Sequence, residues 1–148
     1  MKYWVVMLIS CFLYSCKSED VKPRQFYKAT NKEGIALLSL TLEDNRFYGQ
    51  YKIQYSTAVI DSGEVRGVIV GDTLQGRFKY ISYGGSQVLK PFLLLKRGDT
   101  LKLGSGSAYT YLEIPYFLPQ SIRFKDSDFQ FLPISEEAFM QSDFKRNR

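Results

Sequence analysis

Histidine is absent from all 148 positions, so the commonest general base, the usual serine triad and any histidine-containing zinc site are absent with it. Carboxylates remain. Two pairs are adjacent, Glu43 with Asp44 and Glu136 with Glu137, and general acid–base work would need such a pair held in a cleft with its pKa displaced. The first lies in turn-forming sequence and the second at a helix start, and those structural roles are sufficient for both. Ser142 and Lys145 have the spacing of a Ser-x-x-Lys pair but lack its companion motifs. Asp126 and Asp128 alternate as calcium ligands do, without the further oxygen ligands or the glycine of a calcium loop. No cofactor or metal is expected, and a non-enzymatic chain is. The residues left with recognition chemistry are tyrosines: Tyr109, Tyr111 and Tyr116 around Glu113, with Tyr80 and Tyr83. A tyrosine ring offers a flat apolar face and a hydroxyl at its rim, which suits sugars, peptides or protein surfaces. Tyrosine is also a favoured strand residue, and a sheet accounts for the same cluster.

One cysteine carries a different chemistry. Met1 and Lys2 lead an apolar stretch from Tyr3 to Leu13, which runs into Leu13, Tyr14, Ser15 and Cys16. About eleven apolar residues are too few to span a bilayer, which takes roughly 20, and the small Ser15 before Cys16 suits a signal peptidase. An ordinary secretory peptide or an uncleaved anchor helix are the alternatives. The tetrapeptide resembles the bacterial lipobox, from which Tyr14 departs; looser versions are familiar among lipoproteins of the Bacteroidota. That resemblance implies cleavage between Ser15 and Cys16, with lipid on the sulfur and nitrogen of Cys16. Lys17, Ser18, Glu19 and Asp20 are similar to the short acidic export tag that sends such lipoproteins to the outer face of the outer membrane. A solvated tether would have the same composition, so both membrane faces stay open. The expected address is the cell envelope, with the protein lipid-anchored to the outer membrane. With Cys11 in the leader and Cys16 lipidated, no cysteine is left for a disulfide in the domain.

The elements that must position the tyrosines are strands. Of the chain, 45% is hydrophobic and 16% aromatic, enough for the core of one exported domain. Residues 1–15 are expected as signal peptide, 16–24 as lipidated cysteine and tether, and 25–148 as a single β-barrel-like domain. From Gln25 onward, runs rich in Tyr, Phe, Val, Ile, Leu and Thr are punctuated by Gly, Asp and Asn. Leu38, Leu40 and Leu42 share one face of a strand while Leu37, Ser39 and Thr41 take the other. Turns are expected at Asp44–Asn45, Gly71–Asp72 and Gly98–Asp99, where residues tolerant of left-handed dihedrals sit between apolar runs. Strands are predicted near 26–30, 35–42, 46–55, 64–70, 73–81, 87–96, 100–103 and 108–114, with 121–124 and 128–132 as further candidates. After Pro133, Ser135 with Glu136 and Glu137 predicts the start of a short C-terminal helix through Ala138, Phe139, Met140 and Phe144. Consecutive antiparallel strands expose two edges unless the sheet curls, so the fold class is all-β: an antiparallel meander of about 8 to 10 strands forming a closed or partly open barrel, a strongly bent sandwich being the other economical form.

The run Tyr80, Ile81, Ser82, Tyr83, Gly84, Gly85, Ser86 through Leu95, Lys96, Arg97, Gly98 and Asp99 resembles small Bacteroidota lipoproteins in which meander strands and Gly-Asp turns follow a lipobox. The resemblance implies a fold and an address and brings no activity. The formal charge of +5 is spread along the chain and interleaves with no nucleic-acid reading motif, so nucleic acid is not an expected partner. Anionic lipid headgroups or surface polysaccharide fit the same charges. Two functions follow: a surface binding or accessory protein offering an aromatic face or the 83–86 loop to a glycan or envelope protein, or a lipocalin-like carrier with an apolar ligand inside the barrel. The lone tryptophan is Trp4, in the leader, so the Gly-x-Trp signature of lipocalins is missing.

Overall fold

The structure, a computed structural model, describes residues 22–56, 59–82 and 84–142. Seven strands follow one another as a meander: β1 (Arg24–Asn31), β2 (Gly34–Glu43), β3 (Arg46–Tyr55), β4 (Ile60–Val70), β5 (Thr73–Ile81), β6 (Gln87–Arg97) and β7 (Thr100–Leu103). Their alternating apolar sets all face one way, and curling the sheet closes that face on itself. A later strand, β10 (Gln130–Ile134), enters between β7 and β1, so eight antiparallel strands form a closed barrel in the order β1-β10-β7-β6-β5-β4-β3-β2. Closure removes the exposed edges that a flat meander would leave. Between β7 and β10 the chain makes a separate hairpin of β8 (Ala108–Tyr111) and β9 (Ile114–Phe117), followed by a 3-10 turn at Pro119–Ser121. The chain then returns through Phe129, and helix α1 (Glu136–Ser142) ends the described region. Among the described residues no helix is long and apolar enough to cross a membrane.

The interior is filled by side chains. Tyr51 of β3 lies edge-on to Phe78 at 4.9 Å and meets Phe92 at 5.3 Å and Phe131 at 6.0 Å, and Phe78 stacks on Tyr80 at 4.6 Å. Phe47, Leu38, Leu40 and Leu94 are buried around them. An eight-stranded barrel has an interior that such a set can fill. Gly67 and Gly76 face each other across β4 and β5. A Cβ on Gly67 would stand 2.1 Å from the Gln75 carbonyl oxygen, so only glycine permits this close approach of strands.

Tyr51 makes the fold sensitive to alkali. Burial raises its phenol pKa far above the ordinary 10.0, and Tyr55, Glu33 and Asp61 add to the rise. The folded state therefore keeps a proton that the unfolded chain releases near pH 10. Stability is full below that pH and falls above it, by about 1.4 kcal/mol per pH unit for this one group. Urea unfolding midpoints from pH 9 to 11.5 should show the decline, and Tyr51→Phe should lessen it, leaving the part owed to the raised phenols of Tyr55 and Tyr27; an equal slope in the variant would remove Tyr51 as a source.

Several local expectations are corrected. The segment 108–114 is not one strand but the first half of a hairpin, because the chain reverses at Leu112–Glu113 without a Gly, Asn or Asp to mark it. Residues 121–124 hold the end of the 3-10 turn and a single bridge, Ser105 to Arg123, in place of a strand. The strand expected at 128–132 runs instead from Gln130 to Ile134, through Pro133, which pairs with Tyr27. Proline is accommodated because β7 pairs with β10 only at Gln130 and Phe131, leaving Pro133 no ladder partner on that side. Leu37, Ser39 and Thr41 take the strand face opposite the core residues Leu38 and Leu40, yet they too are buried. On the neighbouring outer face of β1, α1 places Phe139 4.9 Å from Phe26. The helix begins as expected: the Ser135 Oγ accepts from the Ala138 N–H at 3.2 Å, and hydrogen bonds from the Glu137 backbone N–H, then from the Ser135 hydroxyl, hold the Glu137 carboxyl below its ordinary range. Phe144 lies outside the described residues.

Candidate functional site

The β8–β9 hairpin stands off the barrel and exposes most of its apolar surface. Its register pairs Tyr109 with Tyr116 and Tyr111 with Ile114. Cross-strand partners share a face, so these four side chains form one surface, while Thr110, Pro115, Ala108 and Phe117 form the other. Pro115 is buried, so the second surface is the one that packs down, through β9 against β6 and β5. The first surface faces outward: its four residues and Leu112 at the tip are between 42% and 77% exposed. Three tyrosines, an isoleucine and a leucine on one small hairpin make a contiguous apolar patch of the kind that marks recognition sites.

The turn itself is strained. Leu112 has φ 47° and Glu113 φ 62°, a left-handed pair that hairpins ordinarily assign to Asn-Gly, at a cost of roughly 1–2 kcal/mol for each residue with a side chain. Strain of this kind concentrates where a surface is shaped for contact.

Beneath the hairpin runs a groove of about 640 Å³ between β9 and the outer face of β3–β6. The backbones of Gly67 and Gly76 contribute to its lining, and Ile114, Pro115, Tyr116 and Phe117 form its hairpin side, so the groove reaches the edge of the aromatic face at Ile114 and Tyr116. Its outward floor positions follow from register: Tyr48 opposes Arg66, Arg66 opposes Arg77, and Arg77 opposes Pro91, with Arg46 opposite Val68 one row away.

The tyrosines singled out in the sequence therefore divide. Tyr109, Tyr111 and Tyr116 are brought together, with Glu113 at the tip beside them. Tyr80 is not with them; it lies inside the barrel, 5% exposed, stacked on Phe78 with the Lys90 ammonium 5.1 Å from its ring centre. Tyr83, Ser15 and Cys16 lie outside the described residues. Each carboxylate considered for chemistry has a structural partner or position. Asp44 meets Lys22 at 3.7 Å in the β2–β3 turn. Lys102 donates to Asp126 at 2.9 Å, which lowers the pKa of that carboxyl, and Asp128 accepts from the Ser105 hydroxyl. Ser142 accepts from Lys28 at 3.2 Å, and Lys145 lies outside the described residues. Asp61, in the barrel wall, accepts from the Tyr55 hydroxyl at 3.1 Å; burial, then Asp61, pushes that phenol well above its ordinary range.

Arg46, Arg66 and Arg77 were not singled out by sequence reasoning, although one signal was available. Arg66 and Arg77 are equidistant from the Gly71–Asp72 turn, and hairpin symmetry about that turn sets them opposite each other. No protein-family model, curated protein or solved structure matches the chain.

Proposed function

We propose that this chain is a non-enzymatic binding protein of a bacterial envelope, fastened to the outer membrane through lipid on Cys16, and that it recognises glycans with the outward face of the β8–β9 hairpin. The observation that carries the reading is the gathering of Tyr109, Tyr111 and Tyr116 with Ile114 on one exposed surface. Flat rings with hydroxyl rims suit the alternating apolar and hydroxyl faces of a sugar, and stacked rings lose little conformational entropy on binding. Support for the address comes from the apolar leader and the Leu13–Cys16 box. A closed barrel is also the architecture of a lipocalin-like carrier, but here the ring cluster around Tyr51 occupies the interior.

Binding of the purified domain to immobilised neutral and acidic polysaccharides tests the proposal. Retention is expected, with Tyr109→Ala/Tyr111→Ala weakening it at least tenfold and leaving the melting temperature unchanged, since both rings are exposed. An envelope protein co-purifying in native mass spectrometry, with no retention on any polysaccharide, would replace the glycan by a protein partner. A small apolar molecule surviving purification inside the barrel would favour the carrier.

A further inference from the structure

We infer that the groove beneath the hairpin is an anion subsite and that the glycan it serves is acidic, bearing carboxylate or sulfate on its sugars. The inference rests on the glycan reading above and names the ligand's charge. On the outer face of the barrel Arg66 stands directly opposite Arg77, and Arg46 is one row away beside them. Like charges placed directly across an antiparallel pair destabilise the sheet. Such a placement is ordinarily relieved by a neighbouring acid, and here it is not: among the described residues none of the three guanidinium groups has an ion pair or hydrogen bond. Glu43 is the acidic side chain that lines the groove, opposite Arg46 in the ladder, and it stands against three cations without reaching ion-pair distance of any.

The surroundings say what kind of anion fits. Guanidinium forks match planar or tetrahedral oxyanions through paired N–H donors. An isolated inorganic ion would need no more than those forks, yet the groove has about 640 Å³, the size of a small-molecule site. Tyr48, Val68 and Leu93 belong to its floor and Tyr116 to its hairpin side. Tyr116 belongs to the aromatic face and also lines the groove that holds Arg46, Arg66 and Arg77, so it is the point where the two surfaces meet. An extended polymer with alternating ring faces and acidic substituents satisfies both surfaces at once.

Titration calorimetry with the intact domain decides the matter, using a heparin-derived tetrasaccharide, a galacturonate tetramer, a neutral dextran oligomer and vesicles containing phosphatidylglycerol. The acidic oligosaccharides should bind, weakening as salt rises, and Arg66→Gln/Arg77→Gln should cost them at least tenfold. Lys32→Gln/Lys125→Gln removes the same charge from exposed positions away from the groove and should change affinity less than twofold. Thermal melting of the arginine variant should be unchanged or raised, because the opposed charges are gone; a fall would mean the arginines serve the fold and would overturn the inference. Equal losses in the two double variants would reduce the effect to net charge and also overturn it. If dextran binds as well as the acidic sugars, with dependence on Tyr109 alone, the acidic class is wrong while the glycan reading stands. If only the vesicles bind, both fall.

Discussion

Replacing Phe131 with Ala is expected to cost the domain about 4 kcal/mol and to open the barrel along one seam. Phe131 is fully buried and meets both Tyr51 and Phe129, and truncating a buried phenylalanine to alanine ordinarily costs about 3–5 kcal/mol, against a total stability of roughly 5–15 kcal/mol for a domain. Its position makes it more consequential than other core rings. β10 is held to β7 only at Gln130 and Phe131, and to β1 only at Phe26, Tyr27 and Lys28. The strand that closes the barrel is thus the one with the fewest ladder bonds, and burial of Phe131 is its main attachment to the interior. Phe47→Ala is the comparison. That ring is equally buried, but β3 pairs along its length with β2 and β4. Both variants should lose similar stability by urea unfolding. Only Phe131→Ala should speed hydrogen exchange in β1, β7 and β10 below the global unfolding limit. Matching exchange patterns in the two variants would mean the barrel opens only as a whole.

The second large effect concerns address. Under the proposed anchor, Cys16→Ala in the native host should eliminate incorporation of labelled palmitate and move the protein out of the membrane fraction. Acyl chains contribute about 0.8 kcal/mol for each buried methylene, and two or more chains are needed for stable attachment, so removing their attachment point leaves no graded remainder. The folded domain should be indifferent, because β1 begins only at Arg24 and the lipid would sit outside the barrel. Melting curves of the domain starting at residue 22 should then match those of the released Cys16→Ala protein. Persistent palmitate label on the variant would refute the anchor, whatever the fold.

These two experiments probe different layers of what the chain encodes, and the layers were not equally legible. Strand positions from β2 to β7 could be read closely, apart from the first four residues of β4, which starts at Ile60 and not at Glu64, because apolar sets lie between turn residues. The turns at Asp44, Gly71 and Gly98 have the positive φ values that their residue types tolerate. The strand expected over 108–114 is instead β8, a turn and the first residue of β9, because that turn is built from Leu and Glu, which signal nothing locally. β10 lies two residues later than the 128–132 expected and runs through Pro133, since whether proline fits a strand depends on which neighbour its missing N–H would have faced.

The candidate site divides along the same line. Residue types and local spacing by themselves established an all-β chain without histidine and with a tyrosine-rich stretch near 109–116, since composition and period-two alternation are properties of consecutive residues. Only the tertiary structure decided that Tyr80 turns into the closed sheet while Tyr109, Tyr111 and Tyr116 turn outward together on a separate hairpin that packs by its other face. It also decided that Arg46, Arg66 and Arg77 share one floor beneath them. Inward and outward are defined by closure of the barrel, and neighbours across strands by register. Both are set by burial summed over eight strands, which no local stretch of sequence contains.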